Sequence, residues 1–404
     1  MQKVIFLVDM NAFFISCETT RRPELSGLPA AVAGDPKKRT GIILAANYKA
    51  RSYGVKTAMV LREALKLCPE MIMVPPDHHF YEQKSKEVMD LLSNYTPIIE
   101  QNSIDEAWLD MTGGEGLFGK PAEAAKRIMD EIKDSLGLWC SVGLAENKFL
   151  AKMASEMKKP LGITELWGHD IPNKLWPLPV KAMYGIGDKT AEKLDRMGIK
   201  TIGELARLDT NLLVKTFGKY GNEIHQHANG IDSSPVLAHM AGDMKSIGRE
   251  TTLPEDISDI KRAKIVLMDL ADHIGMTARR NGKKGRTVQI TLKYSDFHVI
   301  TRQTTLPATS TTREIYQTAC GLLEQNWNSL HPVRLIGISL SGFQENCSSD
   351  QLSLFSQMEN SVKNEKNKSI DKAMDKIRSK HGAEIITRAA LVKKDKGSYV
   401  KGVD

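Results

Sequence analysis

Three acidic side chains stand at positions where a charge is costly in a folded protein. Asp9 follows the apolar run of residues 3–8, and Asp105 and Glu106 interrupt the largely apolar segment 98–112. A buried carboxylate destabilises a fold unless it is paired or bound to a metal. Carboxylates are also the ligands that hold two divalent cations about 3.5–4 Å apart for phosphoryl transfer. The alternative is that the three acids are solvated at strand ends, and spacing alone does not decide between the two.

The hydrophobic pattern indicates the elements that must position these acids. Residues 3–8 form a continuous apolar run, which is typical of a buried strand that delivers Asp9 at its end. The segment 98–112 alternates like one arm of a hairpin and would present both of its acids in mid-strand. A helix and a further strand are predicted at 122–136 and 138–147.

The remainder of the chain changes character several times. Residues 170–230 show helical periodicity without strand signals, and the aperiodic stretch 232–245 is typical of an interdomain linker. Residues 246–343 interleave helices and strands as a second α/β unit. After residue 344 the composition is polar, with one clear amphipathic helix at 369–382.

Bulk composition excludes several classes of protein. A chain of 404 residues is too long for one core and predicts three or four domains. The net charge of +7 permits a polyanionic partner without requiring one. The five cysteines are scattered, which disfavours a disulfide framework or zinc site, and no apolar stretch approaches the roughly 20 residues of a membrane span. We therefore expect a soluble, cytoplasmic protein that does not contact membranes.

Five motifs give the chain a specific resemblance. In order and spacing it is similar to the Y family of translesion DNA polymerases, closest to the bacterial branch that includes the UmuC-like proteins. The resemblance covers roughly residues 1–355 and rests on VDMNAFF, ANYKARSYGVKT, SIDEAWLD, SVGLAENKFLAKMASEMKKPLGI and YGIGDKTAEKL.

The resemblance implies a multidomain α+β fold shaped like a right hand. It also implies an error-prone, template-directed DNA polymerase for translesion synthesis, which takes primer–template DNA and dNTP and has no proofreading domain. The expected limits are 1–11 and 78–168 for an α/β palm, 12–77 for small fingers, 169–231 for a helical thumb with a helix–hairpin–helix, 232–245 for a linker, 246–343 for an α/β little finger and 344–404 for a flexible tail.

Family positions carried onto this sequence give the acids separate roles. Asp9 and Asp105 would hold two Mg²⁺ ions, for which Mn²⁺ could substitute. Met10 would contribute its backbone carbonyl, and Glu106 would complete the site of the ion that activates the primer.

The same resemblance predicts the nucleotide site. Phe14 falls at the steric gate, the aromatic side chain that excludes a ribose 2′-hydroxyl. The family often has a hydroxyl side chain where this sequence has Ala45, so one phosphate hydrogen bond is expected to be missing. The predicted nucleotide contacts are Phe13, Phe14, Tyr48, Arg51 and Lys159.

Two segments are predicted to bind DNA through its phosphates. One is the helix–hairpin–helix at 184–194, for which a bare helical hairpin is the alternative. The other is a basic turn in the little finger, for which a solvated turn is the alternative. The predicted contacts are Gly185, Gly187, Lys189 and Thr190 in the first, and Arg279, Arg280, Lys283, Lys284 and Arg286 in the second.

The tail carries a candidate partner motif. The pentapeptide QLSLF resembles the peptide with which bacterial proteins bind the sliding clamp, and an apolar patch that packs on its own chain is the alternative. The protein is otherwise expected to be monomeric. The predicted clamp contacts are Gln351, Leu352, Leu354 and Phe355.

Two other functions compete with a polymerase. A non-catalytic DNA-binding accessory protein could use the thumb hairpin and the clamp peptide, although it would have no reason to keep three metal-binding acids. A repair nuclease with a helix–hairpin–helix would cleave DNA, whereas the motif order here predicts primer extension.

Overall fold

The computed structural model describes residues 2–35, 41–238, 244–343, 359–382 and 385–391. The chain divides into two compact units, Met1–Met240 and Ala241–Asp404. The division falls inside the stretch 232–245 that the sequence marks as a linker. The finer domain limits stay a prediction.

The first unit contains a five-stranded sheet, a three-stranded sheet and eleven α-helices within the described residues. Its strands are β1 (Ile5–Met10), β2 (Ala30–Ala33), β3 (Ile43–Ala46), β4 (Ile72–Val74), β5 (Ile99–Gln101), β6 (Glu106–Asp110), β7 (Cys140–Ala145) and β8 (Ile163–Glu165). Its helices are α1 (Phe13–Arg21), α2 (Tyr48–Ser52), α3 (Leu61–Leu67), α4 (His78–Leu92), α5 (Glu115–Phe118), α6 (Pro121–Leu136), α7 (Lys148–Met157), α8 (Asp188–Arg196), α9 (Ile202–Ala206), α10 (Thr210–Phe217) and α11 (Lys219–Ala228).

The larger sheet has the strand order β5-β6-β1-β7-β8, with β1 antiparallel to both β6 and β7. All six residues of β1 are buried, because helices cover both faces of the sheet. Side chains alternate along a strand. Phe6 and Val8 therefore pack in the core with α1, α4 and α6, whereas Ile5 and Leu7 pack with α7 and the helices that follow it.

The predicted single strand across 98–112 is wrong. Strand β5 pairs with β6, and residues 102–105 form the loop between them, so the segment is a complete hairpin. Asp105 lies in this loop and Glu106 begins β6, so neither acid is in mid-strand. The loop is stabilised locally, since the Ser103 hydroxyl donates to Asp105 Oδ1 at 2.5 Å and the Asn102 amide donates to Glu106.

The smaller sheet has the order β3-β2-β4 and packs a compact core of small side chains with α2 and α3. Asn47 joins the sheet to α2, because its side chain accepts hydrogen bonds from the backbone N–H of Ala30 and Ala50. This cap fixes the start of α2, the helix that carries Tyr48 and Arg51.

The second unit is a four-stranded antiparallel sheet covered by two long helices. Its strand order is β11-β10-β12-β9, and a third helix follows the sheet. In chain order the elements are β9 (Ser246–Ile257), α12 (Ile260–Arg280), β10 (Gly285–Tyr294), β11 (Val299–Thr309), α13 (Thr312–Asn326), β12 (Val333–Phe343) and α14 (Glu359–His381).

The C-terminal region differs from the flexible tail that the composition predicts. Helix α14 begins ten residues before the predicted helix at 369–382. It packs against α12 through Asp371 and Arg378, which form ion pairs with Arg279 and Asp272. It also contacts α13, because Asp371 accepts the Thr312 N–H. The polar composition predicted a flexible tail, but composition does not show which charges are paired in the fold. The partners of these charges lie about a hundred residues away along the chain. No helix in the described parts of the chain is long and apolar enough to cross a membrane.

Candidate active site

The residues predicted to carry the chemistry line one cavity in the first unit. Its volume is about 440 Å³. The three acids line it together with all five predicted nucleotide contacts. The predicted residues on its wall are Asp9, Met10, Phe13, Phe14, Ala45, Tyr48, Arg51, Asp105, Glu106 and Lys159. Six others also line it, Asn11, Ala12, Leu44, Thr57, Ser103 and Lys152.

Strand register brings two of the acids together. Asp9 of β1 is directly opposite Glu106 of β6, and both side chains are almost fully buried. Asp9 follows Leu7 in the alternation, so it points toward α7. Asp105 joins them through its backbone, because its carbonyl accepts the Met10 N–H at 2.9 Å.

Lys152 is the residue of this site that the sequence prediction missed. Its ammonium lies 3.0 Å from Asp9 Oδ2, 2.5 Å from Glu106 Oε2 and 3.2 Å from Glu156 Oε1. The signal was present, since Lys152 interrupts the apolar positions of α7 on the face that packs against the sheet. A lysine at such a position requires a buried acid as partner.

Lys159 reaches the same carboxylate from the loop after α7. Its ammonium lies 2.8 Å from Asp9 Oδ2 and 2.8 Å from Glu156 Oε1. Asn11 anchors this loop, because its side-chain oxygen accepts the Leu161 N–H at 2.9 Å. The predicted triphosphate contact is therefore an ion-pair partner of a predicted metal ligand.

These contacts set the protonation states of the cluster. Burial raises the pKa of Asp9, but the ammonium groups of Lys159 and Lys152 outweigh it and hold that pKa below its usual range. Burial lowers the pKa of both lysines, and the Asp9 carboxylate outweighs it, so each pKa lies above its ordinary value. Asp9 is thus a carboxylate and both lysines are ammonium ions at neutral pH.

The carboxylate oxygens of this cluster are the kind of ligand that hard divalent cations prefer. Asp9 and Glu106 both direct one carboxylate oxygen at a single cationic atom, Lys152 Nζ, so their oxygens converge on one position. Asp105 instead faces Ser103. Across the described residues, no three His, Cys, Asp or Glu side chains form a ready-made metal cluster. A cation bound by all three acids requires Asp105 to turn and Lys152 to withdraw.

Phe14 lies where a sugar-selecting residue could act. Its ring stacks on Tyr81 with centroids 4.5 Å apart and planes 14° apart, and it is only partly buried. Tyr81 is fixed in turn by donating its hydroxyl to the buried Glu18 at 2.7 Å. Phe13, the second predicted aromatic contact, is 3% exposed and belongs mainly to the core.

Tyr48 and Arg51 lie on consecutive turns at the start of α2. The Arg51 guanidinium carbon is 5.0 Å from the Tyr48 ring centroid, and its Nε donates to the Ala46 carbonyl at 2.9 Å. Burial raises the pKa of the Tyr48 phenol, so the hydroxyl remains a donor. Thr57 lines the same cavity as Ala45.

The predicted thumb hairpin is a tight turn followed by a helix. Gly185 has φ +92, which favours glycine, and Gly187 is the N-cap of α8. Lys189 is exposed and Thr190 half-buried in the first turn of that helix. Before the turn stands only a single 3₁₀ turn, Val180–Ala182, so the first helix of the motif is short.

The predicted basic turn of the second unit lies between α12 and β10. Arg280 and Lys284 are exposed there, and Lys283 and Arg286 are half-buried. Arg279 differs from the prediction, since it is half-buried and bonded to Asp375 at 2.6 and 3.0 Å. The four predicted clamp contacts, Gln351, Leu352, Leu354 and Phe355, lie outside the described residues.

Three protein-family models match parts of the chain. A family model described as the impB/mucB/samB family matches residues 8–156, and the model of its C-terminal domain matches residues 244–354. A model described as the DNA polymerase-iota thumb domain matches residues 181–232.

Curated relatives and solved structures agree with the family models. The chain is 61% identical over 401 residues to DNA polymerase IV of Clostridium kluyveri, which covers 98% of this chain and 100% of that protein. It is 40% identical to DNA polymerase IV 1 of Bacillus subtilis, with 99% and 95% covered. A solved Y-family DNA polymerase chimera has a TM-score of 0.76 at 28% identity, with 85% and 100% covered. DinB from Sulfolobus solfataricus has a TM-score of 0.57, also at 28% identity, with 84% and 99% covered.

The class of protein is therefore a template-copying polymerase with separate catalytic and C-terminal domains. The chain belongs to the Y family of DNA polymerases, in the bacterial branch of the DNA polymerase IV proteins. The family and fold class predicted from the five motifs are confirmed, and the chain is a DNA-directed DNA polymerase of the translesion class.

Proposed function

We propose that the cavity transfers a nucleotide from dNTP to a primer 3′-hydroxyl with two Mg²⁺ ions, for which Mn²⁺ could substitute. One observation carries this proposal: three carboxylates, the cations of Arg51 and Lys159 and the aromatic ring of Phe14 line the same cavity. Bound there, the ions would lower the pKa of the primer hydroxyl and neutralise the triphosphate. Asp9 and Asp105 would hold both ions, with the Met10 carbonyl, and Glu106 would hold the one at the primer.

The remaining side chains bind and orient the nucleotide. Arg51 offers a planar fork of donors and Lys159 a mobile point charge, and both suit phosphate oxygens. Tyr48 adds a phenolic donor, and Phe14 would stack beneath the sugar. Thr57, which lines the same cavity, would supply the phosphate hydrogen bond that Ala45 cannot make.

DNA binding, the clamp and cellular location complete the proposal. The turn at Gly185 and Gly187 and the residues Lys189 and Thr190 would hold phosphates at the start of α8, and such contacts do not read sequence. The pentapeptide 351–355 would recruit the enzyme to the sliding clamp in the cytoplasm. Synthesis would be error-prone and without proofreading, on the domain limits predicted from the sequence.

Primer extension tests the chemistry. Asp105→Ala and Glu106→Ala should each abolish extension on damaged and undamaged templates, because each removes a metal ligand. Asp110→Ala is the matched control, since it removes a carboxylate from the other end of β6, outside the cavity. Extension by the first two variants at the level of the control would refute the mechanism. Cleavage of the template instead of extension would favour the nuclease alternative.

A further inference from the structure

The C-terminal helix α14 has no role in the proposed chemistry, yet it is fixed to the second unit by buried charges. Asp371 is 2% exposed. It accepts the Thr312 N–H at 3.0 Å and so caps α13. Arg279 lies 3.2 Å from the same carboxylate, and Arg388 lies 2.5 Å from its other oxygen.

A second buried acid extends this network. Asp272 of α12 is 4% exposed and accepts from Arg378 at 2.7 Å and from Arg388 at 2.8 Å. Met374, three residues after Asp371 on α14, is 8% exposed. Removing one member of such a buried network leaves an uncompensated charge. Helix α14 is therefore a defined part of this unit.

A cleft of about 1110 Å³ lies between α14 and the basic turn after α12. Lys368, Lys372 and Lys376 line it from α14, at the four-residue spacing that places side chains on one helical face. Arg280 and Lys284 line it from the turn.

The acids of the cleft are already engaged. Asp371 and Asp375 pair with Arg279, and Glu314 accepts the Thr309 hydroxyl. Within the described parts of the chain, Arg280, Lys284, Lys368, Lys372 and Lys376 form no salt bridge. Five exposed cations thus face one cleft in which two of the three lining carboxylates are paired with arginine, so the cleft carries a net positive charge and is a site for a polyanion.

We propose that α14 is a DNA-binding element whose lysines 368, 372 and 376 complete, with Arg280 and Lys284, a cleft for the phosphate backbone of duplex DNA. The three lysines span eight residues, or about 12 Å of helix. That length equals the rise of three to four nucleotides of one strand at about 3.4 Å each. The inference rests on the proposed function only in taking DNA as the polyanion.

Salt-dependent DNA binding by the full-length protein tests the inference. Each neutralised phosphate contributes about −0.9 to the slope of log K against log salt. Lys372→Gln with Lys376→Gln should therefore make the slope shallower by about 1.8. Over a fourfold rise in salt, binding should then weaken about twelvefold less than in the unaltered protein.

The helix itself supplies a matched control. Lys366→Gln with Lys380→Gln also removes two exposed positive charges from α14, but neither residue lines the cleft. The slope should stay unchanged in this pair. Fluorescence anisotropy with a primer–template duplex, in EDTA and without dNTP, measures all three proteins.

Two results would overturn the inference. One is an unchanged slope in the cleft pair, and the other is an equal loss in both pairs, which would indicate a diffuse charge effect. Because binding is measured without catalysis, the result is independent of Asp105→Ala in primer extension. Loss of extension in that variant with an unchanged slope in the cleft pair would leave the proposed function standing and remove only this inference.

Discussion

Lys152 offers a test of how the acidic cluster is stabilised. In Lys152→Gln, the buried carboxylates of Asp9 and Glu106 would face each other with Lys159, which contacts Asp9 alone, as their remaining cation, because the ammonium that contacts both is gone. Removing one partner of a buried ion pair costs about 3–5 kcal/mol. We take about 3 kcal/mol, since Lys159 remains bound to Asp9.

The expected effect depends on metal. A loss of about 3 kcal/mol lowers the Tm of a 150–250-residue unit by roughly 6–12 °C, and this should be seen in EDTA. Mg²⁺ should restore much of the lost stability, because in this variant it no longer competes with the Lys152 ammonium for the carboxylate oxygens of Asp9 and Glu106. A tenfold gain in Mg²⁺ affinity adds about 1.4 kcal/mol, so the Mg²⁺-induced rise in Tm should exceed that of the unaltered protein by about 3–6 °C.

These changes in Tm can be measured by thermal unfolding with tryptophan fluorescence as the signal, because four of the five tryptophans lie in the first unit. Lys148→Gln is the matched control. It removes a lysine one turn earlier on α7 that contacts Glu100 at 3.0 Å, outside the cavity. This variant should lose stability without gaining a response to Mg²⁺. Equal Mg²⁺ responses in all three proteins, or no loss in EDTA for Lys152→Gln, would refute the reasoning.

Three further predictions concern the gate, the C-terminal helix and the clamp peptide. Phe14→Ala should lower discrimination against ribonucleotides in primer extension about tenfold or more, as losing about 1.4 kcal/mol of steric exclusion implies; an unchanged ratio of rNTP to dNTP incorporation would remove Phe14 as the gate. Burial raises the pKa of Asp272, but Arg388 and Arg378 outweigh it and hold that pKa below 3.8. Docking of α14 should therefore be stable above that pH and should weaken as the pH falls through the lower pKa that Asp272 has in the folded protein. Hydrogen exchange measures this as a loss of amide protection in α14. Loss of protection near neutral pH would contradict the prediction. A peptide spanning 351–355 should bind the bacterial sliding clamp by calorimetry and lose binding when Phe355 is changed to Ala; no binding by the unaltered peptide would refute recruitment.

Local patterns were sufficient for much of the fold. The apolar run before Asp9 predicted β1, and the helix and strand at 122–136 and 138–147 correspond to α6 and β7. Periodicity failed at 98–112, where alternation continued across a turn that Asn102 and Ser103 stabilise with their own side chains. Such local hydrogen bonds from short polar side chains favour a turn over continued strand pairing. The alternation of apolar and polar residues gives no sign of this turn.

The sequence alone predicted the class of enzyme, which the family comparisons confirm, because that class depends on residue types in a fixed order. It also identified the three acids as candidate metal ligands, and that assignment stays a prediction. Only the tertiary structure added Lys152, which is 143 residues from Asp9 along the chain, and only it removed Arg279 from the exposed basic turn by pairing it with Asp375, 96 residues away. The physical reason is the same in both cases. A buried charge needs a partner, but any element that packs against it can supply that partner, so the pairing is fixed by strand register and helix docking.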